Sequence, residues 1–270
     1  MRFIKENKAF CVFAAMAVIL IIGSILAPIL APQDPLKAVL TDALQSPSSA
    51  HICGTDPLGR DVFSRIIYGG RTSIASALLL VLVILIIGTA LGSIAGFAGG
   101  AVDAVIMRIS DMMISFPNLI LAIAIAGILG PSLHNAMIAI VIVSWTKYAR
   151  LSRSLVLKIK SRPYVEAARM TGCKSGRLLG RYMLSNALPT MVITAATDIG
   201  TVMLSLASLS FLGFGIQPPA PEWGSMLNEG RKYFLTAPWL LIFPGIALLI
   251  FVIVFNLLGD SLRDVLDPQQ

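Results

Sequence analysis

Six segments of this chain are apolar over lengths that fit a lipid bilayer better than any water-facing fold: residues 10–31, 73–98, 106–130, 136–149, 188–215 and 239–258. A hydrocarbon core about 30 Å thick asks for roughly 20 mostly apolar residues in helical form. Lipid offers the backbone no hydrogen-bond partners, so each such run closes its bonds within itself as a helix. The fourth run is only 14 residues long and meets its first charge at Lys147; it reaches a full span if Lys147 and Arg150 extend their charged heads to the interface on long apolar stems. Of the 270 residues, 56% are hydrophobic and 13% charged, against about 25% charged in soluble domains. That balance excludes an ordinary soluble enzyme, a disordered chain and a coiled coil. The expectation is an all-α polytopic membrane protein with six transmembrane helices.

Charge position then sets the orientation. The net charge is +7, yet ten of the 21 Lys and Arg residues fall between Lys147 and Arg181, where Glu166 is the only acid. A basic stretch of this kind marks a cytoplasmic loop rather than a nucleic-acid surface. Counting helices from it places both termini in the cytoplasm. Residues 1–9 form a cytoplasmic tail with Arg2, Lys5 and Lys8, and the 22 residues of 10–31 form the first span. That run exceeds the 7–15 residues of a signal sequence and no small-x-small cleavage site follows, so it reads as an uncleaved anchor. Residues 32–72 lie outside, with Lys37, Arg60, Arg65 and Arg71 balanced by Asp34, Asp42, Asp56 and Asp61. A five-helix core follows over 73–258, interrupted by the cytoplasmic loop 150–187, and residues 259–270 return to the cytoplasm. Cys11, Cys53 and Cys173 then occupy three different compartments, which leaves no intrachain disulfide to form.

No soluble-type active site is visible. A nucleophile elbow and paired zinc ligands are missing, and Gly172-Cys173-Lys174-Ser175 lacks the Gly-Lys-Ser adjacency and the strand of a phosphate loop. No metal site is assigned. His51 and His134 stand alone at the outer side and are expected to be solvated. Glycines at 88, 92, 96 and 100 share one face of the second span and read as a helix-packing seam. In the fifth span Thr194, Asp198, Thr201, Ser205 and Ser208 step by four and three, which makes one polar stripe on an apolar helix. An acid at that depth costs on the order of 2.5–3.5 kcal/mol, so Asp198 requires a partner, water or a use. The stripe fits either a hydrogen-bonded seam between helices or the wall of a hydrated path. In the basic loop, Glu166-Ala167-Ala168 followed by Gly172 reads as a short helix with a small-residue face that another protein can approach, ended by the glycine. A membrane-bound enzyme or receptor subunit could share six spans and a basic loop, but the spans hold no histidine or acid pair for catalysis.

The loop resembles that of permease subunits of bacterial ABC importers, whose pattern is Glu-Ala-Ala, three residues, Gly, and a later Leu-Pro. Glu166, Ala167, Ala168 and Gly172 match; Leu184 stands at the leucine, while Ser185 replaces the proline and Tyr182 an aliphatic residue. The outer segment from Gly54-Thr55-Asp56-Pro57-Leu58-Gly59-Arg60-Asp61 to Arg65 is similar to that of the second, C-type subunit of the dipeptide/oligopeptide/nickel permeases. So are Ser210 to Gly215, Gln217-Pro218-Pro219, Pro221-Glu222-Trp223-Gly224, Asn256 to Asp260 and Leu262-Arg263-Asp264. The resemblance implies a type I importer transmembrane domain in the bacterial inner membrane. It implies as partners a homologous second permease, two cytoplasmic ATPases that bind ATP and magnesium, and an extracytoplasmic binding protein. This subunit itself would hold no cofactor and run no chemistry. Glu166, Ala167, Ala168 and Gly172 would couple to an ATPase, and Thr194, Asp198, Thr201 and Ser205 would line the pathway. Asp198-Ile199-Gly200 resembles the nickel and metal-chelate branch, which makes nickel or a nickel chelate the leading cargo and short peptides the alternative.

Overall fold

The computed structural model describes residues 7–266; Arg2, Lys5 and the last four residues of the C-terminal tail lie outside them. Among the described residues the chain is helical apart from turns and one isolated bridge, Thr55 to Asp61. Its principal helices are α1 (Lys8–Ile25), α2 (Val62–Ala98), α3 (Gly100–Ile114), α4 (Asn118–Leu129), α5 (Leu133–Lys160), α6 (Pro163–Met170), α7 (Ser185–Phe211), α8 (Trp223–Gly230) and α9 (Trp239–Leu266). A π-helical turn, Leu178–Leu184, runs into α7 without a break.

Four helical stretches are long and apolar enough to cross a bilayer, and five if the pair α3–α4 counts as one span bent by 93°. The expected third span, 106–130, is therefore not one rod. It breaks at Ser115-Phe116-Pro117, where proline supplies no N–H and pushes the residue before it out of helical geometry. The expected fourth span lies inside α5, which at 28 residues reaches about 42 Å. Its basic second half, not its length, keeps it below the apolarity of the others. Helix α2 begins eleven residues before the expected position 73, because the Asp61 carboxylate accepts from the Ser64 N–H at 2.8 Å and caps it. Outside the lipid a helix needs a cap more than an apolar sequence.

The bundle is built on α2 against α5, its most extensive helix pair. A β-carbon on Gly88, Gly92 or Gly96 would come within 2.4 Å of Tyr148 Cβ, 2.0 Å of the Ala149 carbonyl or 2.9 Å of the Arg153 carbonyl, respectively. The three glycines let successive turns of the two backbones touch, which is how helices gain dispersion contact when lipid supplies no hydrophobic drive. Ser93 and Ser152 bond across the same seam at 2.7 Å. Gly100 does not belong to it: nothing lies within 4 Å of its would-be β-carbon, and its φ of +55° serves the turn into α3.

Within residues 32–72 the stretch to Ala50 is mostly exposed, whereas from His51 onward the segment is packed. Asp56 accepts from Leu58 N and Arg60 N at 2.9 Å and from Arg60 Nε at 2.5 Å. Arg60 and Arg65 both reach Glu229 Oε2 of α8 at 3.2 Å. Arg65 is 1% exposed, so its charge is sustained by these acids and by the Pro219 carbonyl at 3.2 Å. His51, expected to be solvated, is buried and meets Asp61 Oδ1 at 3.0 Å. Trp239 and Trp223 donate to the Thr55 and Ile66 carbonyls. Glu222 is fully buried at the N-cap of α8. Burial pushes its carboxyl up, and the N–H groups of Gly224 and Ser225 and the side chain of Ser73 pull it back.

Candidate functional site

Two regions hold the residues singled out by the sequence. The first is α6, which begins on Pro163 at its first turn, where the missing N–H is harmless. Val165 and Ala168 face inward and pack with Val156, Ile159, Leu178, Met183 and Ala187. The opposite face carries Glu166 and Ala167, both exposed, together with Tyr164 at 45% and Met170 at 87% exposure. Of the Ala-Ala pair, one residue thus anchors the helix and the other faces outward. Gly172 ends it at φ +79°, with its N–H on the Arg169 carbonyl and the Cys173 N–H on the Ala168 carbonyl at 3.0 and 3.1 Å. The glycine answers a backbone requirement, and apart from its chain neighbours none of the described residues lies within 4 Å of where its β-carbon would be. Tyr164 and Met170 were not singled out by sequence reasoning. Their signal was their place on the face opposite Val165 and Ala168.

The second region is the stripe on α7. The Asp198 acid has its partner: Lys147 Nζ of α5 lies 2.7 and 2.8 Å from the two carboxylate oxygens, and Tyr148 donates to Oδ2 at 2.9 Å. The carboxylate is mostly covered, at 16% exposure, whereas Lys147 keeps 59%. Lys147 was read in the sequence only as the limit of the fourth span. It is the counter-ion of the partly covered acid, and the 51-residue separation hid the match.

Three of the four hydroxyls of the stripe share one property. Thr194 Oγ1 donates to the Thr190 carbonyl, Ser205 Oγ to the Thr201 carbonyl and Ser208 Oγ to the Leu204 carbonyl, at 2.9, 2.9 and 2.7 Å. A carbonyl can only accept, so each of these protons is committed to the helix and the hydroxyl oxygen presents lone pairs outward. Lys147 spends two of its three N–H groups on Asp198 and retains one. The stripe therefore offers a row of acceptors beside one cationic donor. Among the described residues no three His, Cys, Asp or Glu side chains gather as a metal site requires.

Comparison with known proteins places this geometry in context. The chain is 43% identical over 266 residues to the dipeptide transport system permease protein DppC of Alkalihalophilus pseudofirmus, covering 98% of this chain and 88% of the relative. It is 44% identical over 270 residues to the glutathione transport system permease protein GsiD of Pectobacterium atrosepticum, covering 99% and 89%. To the nickel transport system permease protein NikC of Escherichia coli K12 it is 43% identical over 237 residues, covering 88% and 86%. The MetNI methionine ABC transporter, solved in inward-facing conformations, superposes with a TM-score of 0.55 at 19% identity, over 72% of this chain and 94% of that one, a likeness of fold. Residues 88–270 match the family of binding-protein-dependent transport system inner membrane components. The chain belongs to that family of inner-membrane ABC permeases.

Proposed function

We propose that this permease subunit of an ABC importer forms half of a translocation path for a short peptide, with the α7 stripe as its wall and α6 as its contact to a partner ATPase. The observation that carries the cargo reading is the Lys147–Asp198 pair at 2.7 and 2.8 Å. Taken alone, Asp198 argued for a cationic cargo. Paired, it contributes no net charge, and the wall presents both signs together with a line of hydroxyl acceptors. A zwitterion bearing a protonated amine, amide N–H groups and a carboxylate fits those donors and acceptors. Relatives that transport dipeptides and glutathione support the reading by their names.

Nickel or a nickel chelate is the second reading, supported by the acid itself, by lone pairs that can receive a hydrated cation, and by the NikC relative. On either reading ATP and magnesium are held by the ATPase partners, a second permease completes the path and a binding protein delivers the cargo. Closure of the ATPases drives the exposed face of α6, with Glu166 and Ala167, and the helices answer as packed units that exchange access between the two sides.

Uptake of a radiolabelled dipeptide and of radiolabelled nickel, in cells carrying the whole importer, separates the readings. Asp198→Asn and Lys147→Gln are each expected to lower dipeptide uptake about tenfold, the equivalent of about 1.4 kcal/mol. Nickel uptake that wild type shows and Asp198→Asn abolishes would favour the metal instead. If neither variant changes the transport of either cargo, Asp198 is a packing residue and the path lies elsewhere.

A further inference from the structure

Helix α7 is anchored at two levels and softened between them. Near its middle a β-carbon on Gly259 would lie 2.6 Å from Thr197 Cα, and one on Gly200 would lie 2.2 Å from Asn256 Oδ1, so α9 sits directly on α7 there. Asp198, at the same level, is tied to Lys147 and Tyr148 of α5. The second anchor lies where the helix begins: Leu178 and Met183 of the π-helical turn are buried with Val165 and Ala168 of α6.

Three features weaken the stretch between these anchors. Leu178–Leu184 is π-helical, a rare geometry found mostly at functional sites. Pro189 lies inside the helix and has no N–H to give to the carbonyl of Ser185, four residues back, so a ladder bond is missing. Side chains also compete for the carbonyls of the ladder. Ser185 Oγ donates to Gly180 at 3.2 Å, Asn186 Nδ2 to Tyr182 at 2.5 Å, and Thr194 and Thr197 to Thr190 and Thr194, respectively, at 2.9 Å. Such back-bonding bends helices, and sharp bends occur at prolines and π turns. Space lies beside the soft stretch. Below Thr197, α7 and α9 part around a cavity of about 450 Å³, lined by Pro189, Thr190, Ile193 and Thr194 on α7 and by Arg263 and Leu266 on α9. Close-packed interiors resist displacement, and a weakened helix beside a void of this size does not meet that resistance.

We propose that residues 178–189 form a hinge, by which the α6 end of α7 swings across the wedge toward α9 when α6 is displaced. The inference rests on the reading of α6 as the ATPase contact and adds where its motion goes. A displacement of α6 reaches the level of Asp198 by two routes, one through α5 and one through the π-helical turn. Two routes between the same points cannot both stay rigid while one end moves, so one of them yields. Helix α5 is unbroken from Leu133 to Lys160, and the soft stretch of α7 is the part that bends. Thr194 belongs both to the polar stripe and to the wall of the wedge, so closing the wedge narrows the path at its α6 end.

The test measures distances between spin labels in the purified importer, with Cys11, Cys53 and Cys173 replaced by Ser. One pair, Arg181→Cys with Asp264→Cys, reports the wedge. A second, Leu204→Cys with Ile253→Cys, reports the same two helices on the other side of their contact; all four positions are exposed. Trapping the ATPases with ATP and vanadate is expected to shorten the first distance by several ångströms and to leave the second unchanged. Pro189→Ala restores the missing donor. It should abolish that shortening and lower uptake of a radiolabelled dipeptide about tenfold, as hinge changes do, while recovery of the ATPases in pull-down stays at the wild-type level. Should Pro189→Ala fail to assemble, the two distances in the otherwise wild-type importer decide alone. A first distance that does not change, or an equal change in both, overturns the hinge and leaves the docking of α6 standing. Failure of the wild-type subunit to recover an ATPase overturns the docking and the hinge together.

Discussion

Replacing Gly172 in turn by Asn, Ala and Arg separates what α6 needs from what a partner needs. The φ of +79° makes any side chain costly in the backbone, by about 1–2 kcal/mol for an ordinary L-residue and less for Asn, which visits that region more readily. Apart from its chain neighbours, none of the described residues stands within 4 Å of the added β-carbon, and the site is exposed, so inside this subunit Arg should cost about as much as Ala. Against the roughly 5–15 kcal/mol of a typical fold the loss is tolerable, and all three variants should insert into the membrane at similar yield. If α6 is the surface that meets an ATPase, the equivalence ends on assembly. Excess volume at a tight contact costs about 1–3 kcal/mol, which weakens docking about 5- to 150-fold. The expected order is Asn, then Ala, both close to wild type, with Arg far behind. The assay is the ratio of ATPase to permease recovered in pull-down, followed by cargo-stimulated ATP hydrolysis in the reconstituted complex. If Arg matches Ala in both, Gly172 serves only its own helix and the coupling assignment fails.

Three further substitutions probe packing and orientation. Gly92→Ala places a β-carbon 2.0 Å from the Ala149 carbonyl and forces α2 off α5. About 1–3 kcal/mol of overpacking joins about 0.6 kcal/mol from the strained Ser93–Ser152 bond, and thermal stability in detergent should fall, whereas Gly23→Ala, with open space around it, should change little; equal stability for the two would refute the close seam. Burial and the nearby Asp61 raise the Cys53 thiol, which leaves little thiolate, so a membrane-impermeant maleimide should label Cys53 slowly on intact spheroplasts. Leu40→Cys, at a position 72% exposed, should label readily there, and Cys173 only after lysis; rapid labelling of Cys173 in intact spheroplasts would invert the topology.

The apolar runs made the helices legible because lipid allows the backbone so few alternatives, but they marked where lipid begins and not where helix begins. Val62 opens α2 eleven residues early on the strength of an aspartate cap, a signal that an apolarity count does not weigh. Pro117 stood in plain view inside the third run and still disappeared into it, since the twelve residues that follow, Asn118–Leu129, carry no charge and are apolar from Leu119 on. Gly88, Gly92 and Gly96 were legible as a seam, and the periodicity that found them wrongly extended to Gly100, which a turn employs. The polar stripe was legible to the residue because its members share one helix. Its counter-ion was not. Electrostatics required a partner for Asp198 but gave no means of choosing among the cations of the basic loop, and only the α5–α7 packing selects Lys147. The same holds for Arg65 and Glu229, whose pairing depends on α8 folding back over the outer segment.

Of the five cations on helix α5, three, Lys147, Arg150 and Arg153, are spaced three apart, and each leaves the helix for an acid on another. Lys147 takes Asp198 of α7. Arg150 takes Asp111, with Ser110 beside it, and Arg153 takes Asp103 at 2.5 and 2.6 Å, both acids lying on α3. Exposed or half-exposed pairs of this kind add about 0–1 kcal/mol each to stability, too little to explain three in succession by energy alone. Their effect is positional. Ser110 is the only buried residue of α3, so the two arginines set the register of a helix that side-chain packing holds weakly. At its far end α5 turns through Ser161 and Arg162 directly into α6. On the proposed reading, a displacement of α6 by an ATPase moves α5, and through three ion pairs one helix then carries the polar stripe and the bent α3–α4 pair together. A linkage made of long, flexible side chains would tolerate the few-ångström shifts of such a cycle where an interdigitated apolar seam, like that of α2 on α5, would hold fast.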